Sequence, residues 1–267
     1  MDIETYNLKG KKLSKVTLPP IFNSPYRPDL IHRAFIAVSS HHLQPQGTDP
    51  TAGEKTSAES LGVGRGASRI PRVKGSQFRR ASVAAGVASV VGGRSAHPPK
   101  AEKIIYKHIN RKERRLALAS AIAASSDRGI VEKRGHKIES IKQIPLILSD
   151  EIETISKAKD LREVFDNLGL NSDLVRVNNG TKKRSGTSRL RGRVTRVPRG
   201  PLFILSNTDK LGKAIGSFPG VDCVKASDLS VEHIAPGAHP GRLVVWSESS
   251  LLTLPEPLLK LGEKIGS

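Results

Sequence analysis

The order of apolar and polar positions divides the chain into stretches that carry a period and stretches that do not. Residues 1 to 20 read as a short extended pair: Ile3, Thr5, Tyr6 and Leu8, a turn at Gly10-Lys11-Lys12, a return from Leu13 to Leu18, and a stop at Pro19-Pro20. From Asp29 to about Ser40, apolar residues at Leu30, Ile31, Ala34, Phe35 and Val38 recur at helical spacing behind Asp29 as N-cap, which predicts a core-facing helix. Asn110-Arg111-Lys112-Glu113 has the spacing of a capping box, and Leu116, Ala119, Ser120 and Ala123 carry a helix on to about Ser126.

Further along, the rhythm is strand, helix, strand. Apolar runs at Ile144 to Leu148, Leu202 to Leu205, Val221 to Val224 and Leu243 to Trp246 are short and bounded by turn or cap residues. Between and after them lie helical patterns over Ile152 to Leu168, Asp209 to Ile215, Asp228 to Ile234 and Pro257 to Ile265. Buried runs alternating with helices imply an α/β body, a parallel sheet with helices on both faces in a Rossmann-like three-layer arrangement. Cys223 and Trp246 fall on these strands and are expected in the core.

From Leu43 to Lys100 no period of 2 or 3.6 persists, and Gly, Ser, Pro, Ala and Arg dominate. A long stretch without elements of its own is either functional or disordered. Folded back on itself it reaches at most ~90 Å, at ~3.3 Å per residue. The expected organisation is therefore a globular body (1–42 and 101–267), an extended basic loop inserted in it (43–100), and a basic arm (178–200) that interrupts the strand–helix alternation.

Charge turns this outline into a functional expectation. The 267 residues hold 44 Lys and Arg against 25 Asp and Glu, a formal net charge of +19. Residues 61–100 contain eight basic side chains and no acid, residues 174–208 nine and no acid; the rest of the chain is nearly neutral. Two acid-free segments on a neutral body point to a polyanion, bound through phosphates by Coulomb attraction and counterion release. Arg outnumbers Lys thirteen to four in these segments, which favours bidentate phosphate contacts. Their only aromatic residues are Phe78 and Phe203. Stacking platforms for single strands are thus missing, and folded RNA recognised by backbone and shape fits better than a base reader.

Other classes are weakly supported. One cysteine permits no intramolecular disulfide and no cysteine-based zinc site. The start Met1-Asp2-Ile3-Glu4 is acidic with no apolar run behind it, unlike a signal peptide, and no apolar stretch approaches the ~18 residues of a membrane span. Gly62-Val63-Gly64-Arg65-Gly66 follows no strand and lacks the Lys-Ser/Thr ending of a P-loop. His32, His41 and His42 have no thiol or carboxylate cluster beside them and read as surface residues at a helix end. Asp150, Glu151 and Glu153 sit where a strand meets a helix, a capping position more than an acid–base pair. An RNA-modifying α/β enzyme such as a methyltransferase is the main rival, yet no strand is followed by its Gly-rich turn; a chromatin-like DNA binder is the third reading.

Several phrases then combine. Gly62 to Gly66, Gly93-Arg94-Ser95-Ala96-His97-Pro98-Pro99-Lys100, Asn110-Arg111-Lys112-Glu113-Arg114-Arg115-Leu116-Ala117, Arg196-Val197-Pro198-Arg199-Gly200-Pro201, Ile234-Ala235-Pro236-Gly237, and Gly241-Arg242-Leu243 leading into Trp246-Ser247-Glu248-Ser249 occur in one order. Together they resemble the large-subunit ribosomal protein L-four family in its archaeal and eukaryotic form. The resemblance runs from the N-terminus to the last expected helix.

The resemblance implies a cytoplasmic, non-enzymatic structural constituent of the large ribosomal subunit, acting in assembly and translation. Its partners would be large-subunit rRNA, neighbouring ribosomal proteins and the nascent peptide at the exit-tunnel wall, with no membrane. No cofactor is implied beyond structural magnesium ions of the rRNA, and no protein metal site. Carried onto this sequence, the loop contacts to rRNA would be Arg65, Arg69, Arg72, Lys74, Arg79, Arg80, Arg94, His97 and Lys100. The stretch Arg69-Ile70-Pro71-Arg72-Val73-Lys74 would be the tunnel-facing tip. Body contacts would come from Arg111, Lys112, Arg114 and Arg115, and arm contacts from Lys182, Lys183, Arg184, Arg189, Arg191, Arg193, Arg196 and Arg199. The Lys-rich C-terminal extension of many eukaryotic members does not follow Ser267, which favours an archaeal source.

Overall fold

The computed structural model describes residues 2–266, with side chains through residue 262. Met1 and Ser267, which belong to the N-terminal and C-terminal phrases above, lie outside the described residues. The chain divides into two compact units: residues up to Ser40 together with Lys107 onward, and His41–Tyr106.

The first unit is built on a mixed six-stranded sheet. Strands β1 (Asp2–Tyr6) and β2 (Lys12–Thr17) form an antiparallel pair. Their turn is fixed locally: the Asn7 side-chain oxygen accepts from the Lys9 and Lys11 amides, and Gly10 takes φ +70°. Helix α1 (Pro28–Ser40) follows. Asp29 lies inside its first turn and not at its cap, because Pro28 already starts the helix; its carboxylate pairs with Arg27 at 2.8 Å. The two-residue strands β3 (Ala58–Glu59) and β4 (Arg72–Val73) belong to the second unit.

Helix α2 (Arg111–Ser126) covers the expected span, but no capping box forms. Asn110 makes no side-chain cap bond, and Glu113 reaches across to Arg33 at 2.9 Å. Then come α3 (Arg128–Lys133), β5 (Leu146–Leu148), α4 (Ala158–Asn167) and α5 (Asn171–Gly180). The expected helix over Ile152 to Leu168 is two pieces: a 3-10 turn at Asp150–Thr154, and α4. Ile155 between them is extended and buried, so the core takes Ile152 and Ile155 from a bent chain that one straight helix could not present. Gly169 at φ +74° closes α4, with the Leu170 amide reaching back to the Phe165 carbonyl at 2.9 Å in a Schellman arrangement.

Strands β6 (Lys182–Lys183) and β7 (Thr195–Arg196) flank α6 (Gly186–Leu190). After them lie β8 (Leu202–Leu205), α7 (Leu211–Ile215), β9 (Asp222–Lys225), α8 (Val231–Ile234), β10 (Val244–Ser247), α9 (Glu248–Leu252) and α10 (Glu256–Gly266). The sheet order is β2-β1-β5-β10-β8-β9, parallel throughout except for the β1–β2 pair.

Alternation along each strand feeds two separate cores. Ile147, Leu202, Ile204, Val244 and Trp246 pack with α1 and α2 residues such as Ile31, Ala34 and Ile122. Leu146, Leu148, Phe203, Leu205 and Val245 pack with Leu161 and Phe165 of α4 and Leu211 and Ile215 of α7. Both faces of the sheet are therefore covered, which explains why its inner strands read as continuous apolar runs. Trp246 is fully buried against Phe22, ring centroids 5.6 Å apart, whereas Cys223 is only half-buried on the edge strand β9.

The second unit holds the β3–β4 ladder and an isolated bridge from Arg72 to Ala84. Among the described residues, Ala85 is its one buried apolar side chain.

Candidate nucleic-acid interface

The arm between α5 and β8 is a short basic hairpin. In the β6–β7 ladder Lys182 stands opposite Arg196, and Lys183 opposite Thr195. Like charges directly opposite on a ladder repel, so this pairing is unfavourable until an anion arrives. Lys182, Lys183, Arg189, Arg191, Arg193 and Arg196 are exposed and Arg184 half-buried, and among the described residues none of them pairs with a carboxylate. The base of the arm is rigidly seated. A side chain at Gly180 would stand 2.6 Å from the Pro198 ring, and one at Gly220, already at φ +77°, 2.3 Å from the Pro198 carbonyl oxygen. The Gly200 amide donates to the Gly220 carbonyl at 2.8 Å.

Within the second unit, Arg65, Arg69, Arg79, Arg80, His97 and Lys100 are exposed and, among the described residues, carry no carboxylate partner. Acids from outside the acid-free stretch reach two others: Glu59 pairs with Lys74, and Glu54 with Arg94 at 3.4 Å. Arg72 faces Glu59 across the ladder and donates to the Ser82 carbonyl at 2.9 Å. Residues 60–71 connect β3 to β4, and the Ser60 hydroxyl ties the connection to the Arg69 carbonyl at 3.0 Å. Of the expected tip, Arg69, Ile70 and Pro71 lie on this connection, Arg72 and Val73 form β4, and Lys74 follows it. Gly62, Gly64 and Gly66 all adopt positive φ with open space where a side chain would stand.

Arg111, Lys112, Arg114 and Arg115 project from the first turns of α2 and are exposed. Cations there oppose the helix dipole, so nothing in the helix itself rewards them.

A second polar cluster escaped the sequence reading. Arg242 is almost completely buried, and its guanidinium donates to the carbonyls of Gly200 and His233 at 2.9 Å and to the Asp222 carboxylate at 2.5 Å. Asp222 also takes Arg199 at 3.0 Å, so one carboxylate ties the arm to the sheet. Beside it, buried Asp173 accepts from His136 Nδ1 at 3.0 Å, the Lys137 amide at 3.0 Å and Arg176 Nε at 2.7 Å. Burial pushes the Asp173 carboxyl up, but the bonds from His136 and Arg176 outweigh it and hold it at about 2. Burial likewise pushes His136 down, against the pull of Asp173, so the ring is neutral near pH 7 and donates its Nδ1 proton. The Arg176 fork also reaches the Arg199 carbonyl at 2.8 Å. The one sequence signal here was the Asp173–Arg176 spacing, one helical turn apart.

The sequence model of the ribosomal protein L4/L1 family matches residues 16–256. The chain belongs to that family. It is 45% identical over 249 residues to large ribosomal subunit protein uL4 of Methanosphaera stadtmanae, covering 93% of this chain and 94% of that one. Proteins of the same name from Methanococcus aeolicus (45% over 251 residues, 94% of this chain and 97% of that one covered) and Methanopyrus kandleri (43% over 263 residues, 98% and 100% covered) are similar over nearly their whole lengths. These relatives place the chain in the archaeal branch of the family.

The family is structural and non-enzymatic, and the carboxyl ends of the parallel strands, where open α/β folds hold ligands, are filled by the chain itself. Glu153 accepts from the Ser206 amide at 2.7 Å, the Asn207 amide at 3.1 Å and the Ser247 hydroxyl at 2.8 Å, tying the ends of β8 and β10 together. Asp150 accepts from the Ser249 amide at 2.8 Å. These acids serve neighbouring loops instead of capping their own helix. Burial, and then Glu153 and Asp222, push the Cys223 thiol up to about 12, so it stays protonated. Among the described residues no group of His, Cys, Asp and Glu is placed to hold a metal ion; His41 instead packs edge-on against Tyr106, 5.4 Å between centroids. No described helix is long and apolar enough to cross a membrane.

Proposed function

We propose that the protein is a structural constituent of the large ribosomal subunit in the cytoplasm, binding large-subunit rRNA through phosphate contacts and acting in subunit assembly and translation. The observation that carries this reading beyond family membership is the arm, where Lys182 is set opposite Arg196 with no acid between them. A polyanion relieves the repulsion between these two cations.

The body is a Rossmann-like three-layer unit on the outside of the particle. Arg111, Lys112, Arg114 and Arg115 of α2, and Lys182, Lys183, Arg184, Arg189, Arg191, Arg193, Arg196 and Arg199 of the arm, grip rRNA beside it. Residues 43–100 form the long loop that enters the rRNA, with Arg65, Arg69, Arg72, Lys74, Arg79, Arg80, Arg94, His97 and Lys100 on phosphates. The stretch from Arg69 to Lys74 faces the nascent peptide in the exit tunnel. Neighbouring ribosomal proteins cover exposed apolar tips such as Val91 and Ile104, and magnesium ions of the rRNA screen the phosphates that the arginines leave free.

Competition between a large-subunit rRNA fragment and duplex DNA at one salt concentration tests the reading. The rRNA should win by at least tenfold, and its affinity should fall steeply with salt, by about 0.7 to 0.9 in the log–log slope per phosphate contact. Equal affinity for both would overturn it.

A further inference from the structure

Beside the base of its arm, the first unit carries an open cavity of about 530 Å³. Lys133 and Arg134 at the end of α3, His136 just after it, Arg176 of α5 and Arg199 of the arm line it. Ile130, Tyr26 and Pro240 supply its apolar lining.

Among the described residues no carboxylate lines this cavity. The two that lie behind it are already engaged, Asp173 with His136 and Arg176, Asp222 with Arg199 and Arg242. Arg176, Arg199 and Arg242 share these two acids, and Lys133 and Arg134 add two more cations that, among the described residues, pair with no acid. Arg134 shows the imbalance most clearly. Its guanidinium donates to the carbonyls of Pro236 at 3.0 Å and Pro240 at 3.3 Å, neither of which carries a charge. Burial, with repulsion from Arg242, Arg176 and Arg199, pushes its pKa down to about 10. The negative end of α3 accounts for a cation at Lys133 or Arg134, but not for Arg176 and Arg199 arriving from other elements.

The volume chooses among anions. A cavity of this size is in the range of small-ligand sites, roughly 300 to 1,000 Å³, and is far larger than one phosphate needs. It combines a cationic wall with an exposed tyrosine ring and a proline, surfaces on which a sugar and a base can rest.

We propose that this cavity seats a single unpaired nucleotide of the rRNA, its phosphate on Lys133, Arg134 and Arg176 and its base against Tyr26 and Pro240. It takes from the reading above only that RNA is the partner. It adds a site in which Arg176 and Arg199 of the second basic segment meet Lys133 and Arg134, which neither segment contains.

The test uses the full chain, a single-stranded RNA pentamer, a nucleoside 5′-monophosphate and inorganic phosphate. Binding is followed by the ring signals of His136 and His239, and by mapping ultraviolet crosslinks to Tyr26. The pentamer should bind at least fivefold more tightly than inorganic phosphate and crosslink at Tyr26. Lys133→Gln should weaken it several-fold while leaving the melting temperature unchanged, because Lys133 is exposed and, among the described residues, pairs with no acid. Arg134→Lys, which keeps the charge but loses the fork, should weaken it as well. Inorganic phosphate binding as tightly as the pentamer would reduce the cavity to a simple anion site, and a free monophosphate outcompeting the pentamer would make it a nucleotide pocket; either result overturns the proposal. So would unchanged affinity in both variants. The double variant Lys182→Gln with Arg196→Gln separates the two claims: it should weaken binding of the rRNA fragment while leaving the pentamer's affinity intact.

Discussion

The sheet-bearing unit and the unit spanning His41–Tyr106 are held together by different means. In the first, side chains such as Ile31, Phe165, Ile204 and Trp246 are wholly removed from water, each contributing about 1.5–3 kcal/mol. In the second, Val63, Val91 and Ile104 are more than 80% exposed, and Ala85 alone among the described apolar residues is buried. Its shape depends on glycines that let backbone meet backbone. A side chain at Gly53, already at φ +85°, would lie 2.4 Å from the Arg94 amide, and one at Gly93 would lie 1.9 Å from the Val87 carbonyl. Backbone contacts of this kind fix a path without driving the chain to take it. Ordering costs about 1–2 kcal/mol per residue, and apolar burial in the second unit offsets little of it. On the function proposed above, its order comes from the rRNA, as its low apolar burial and positive charge lead one to expect.

The largest way to break this contrast lies at Arg242. Arg242→Met removes a buried guanidinium and leaves the Gly200 and His233 carbonyls without its donors, while Asp222 keeps Arg199; urea denaturation should show a loss of about 1–3 kcal/mol for each carbonyl. A loss below 1 kcal/mol would mean that the base of the arm is not seated by this residue.

Acid should also weaken the body selectively. His136 titrates below its unfolded value of about 6.5, so its contribution is complete above that pH and is lost as the pH falls through the folded value. Asp173, held at about 2 against 3.8, adds a second loss between those two values. The melting temperature should therefore decline from pH 7 towards pH 3, and His136→Gln should flatten the first part of the decline.

A smaller effect of opposite sign is expected in the arm. Lys182→Gln removes the repulsion with Arg196 and should raise the stability of the free protein by about 0.2–1 kcal/mol, while reducing the salt slope of rRNA binding by about one phosphate. The smallest effect sharpens the contrast most. Ser40 and Lys107 are joined by a 3.0 Å hydrogen bond from the Lys107 amide to the Ser40 hydroxyl, so a short Gly-Ser linker can replace residues 43–104. The shortened chain should unfold within about 1 kcal/mol of the full one and bind rRNA less tightly; an unfolded product would mean that the second unit belongs to the core.

The sequence made parts of this visible for identifiable reasons. Leu202 to Leu205 matches β8 residue for residue, because a strand covered on both faces is apolar at every position. Four helices were hidden, among them α6 and α9, each only five residues long. α3 is six residues long, too short to show a period, and in α5 the buried position Asp173 is a carboxylate, which interrupts the apolar stripe of Leu174 and Val177. The capping box at Asn110 fails because Glu113 finds Arg33, a residue 80 positions away that no local rule sees. Charge was legible because a count needs no geometry. The cavity was not, since Arg134, Arg176 and Arg199 meet only after the sheet has formed.

Hydrogen exchange of the full chain, read peptide by peptide with and without a large-subunit rRNA fragment, bears most directly on the division of the molecule into a self-supporting body and a partner-dependent segment. Without RNA, peptides between Gly47 and Gly93 should exchange at near-unfolded rates while β5, β8 and β10 stay protected, and RNA should slow exchange in the former by at least tenfold and leave the latter unchanged. Equal protection of both regions in the RNA-free protein would contradict the account.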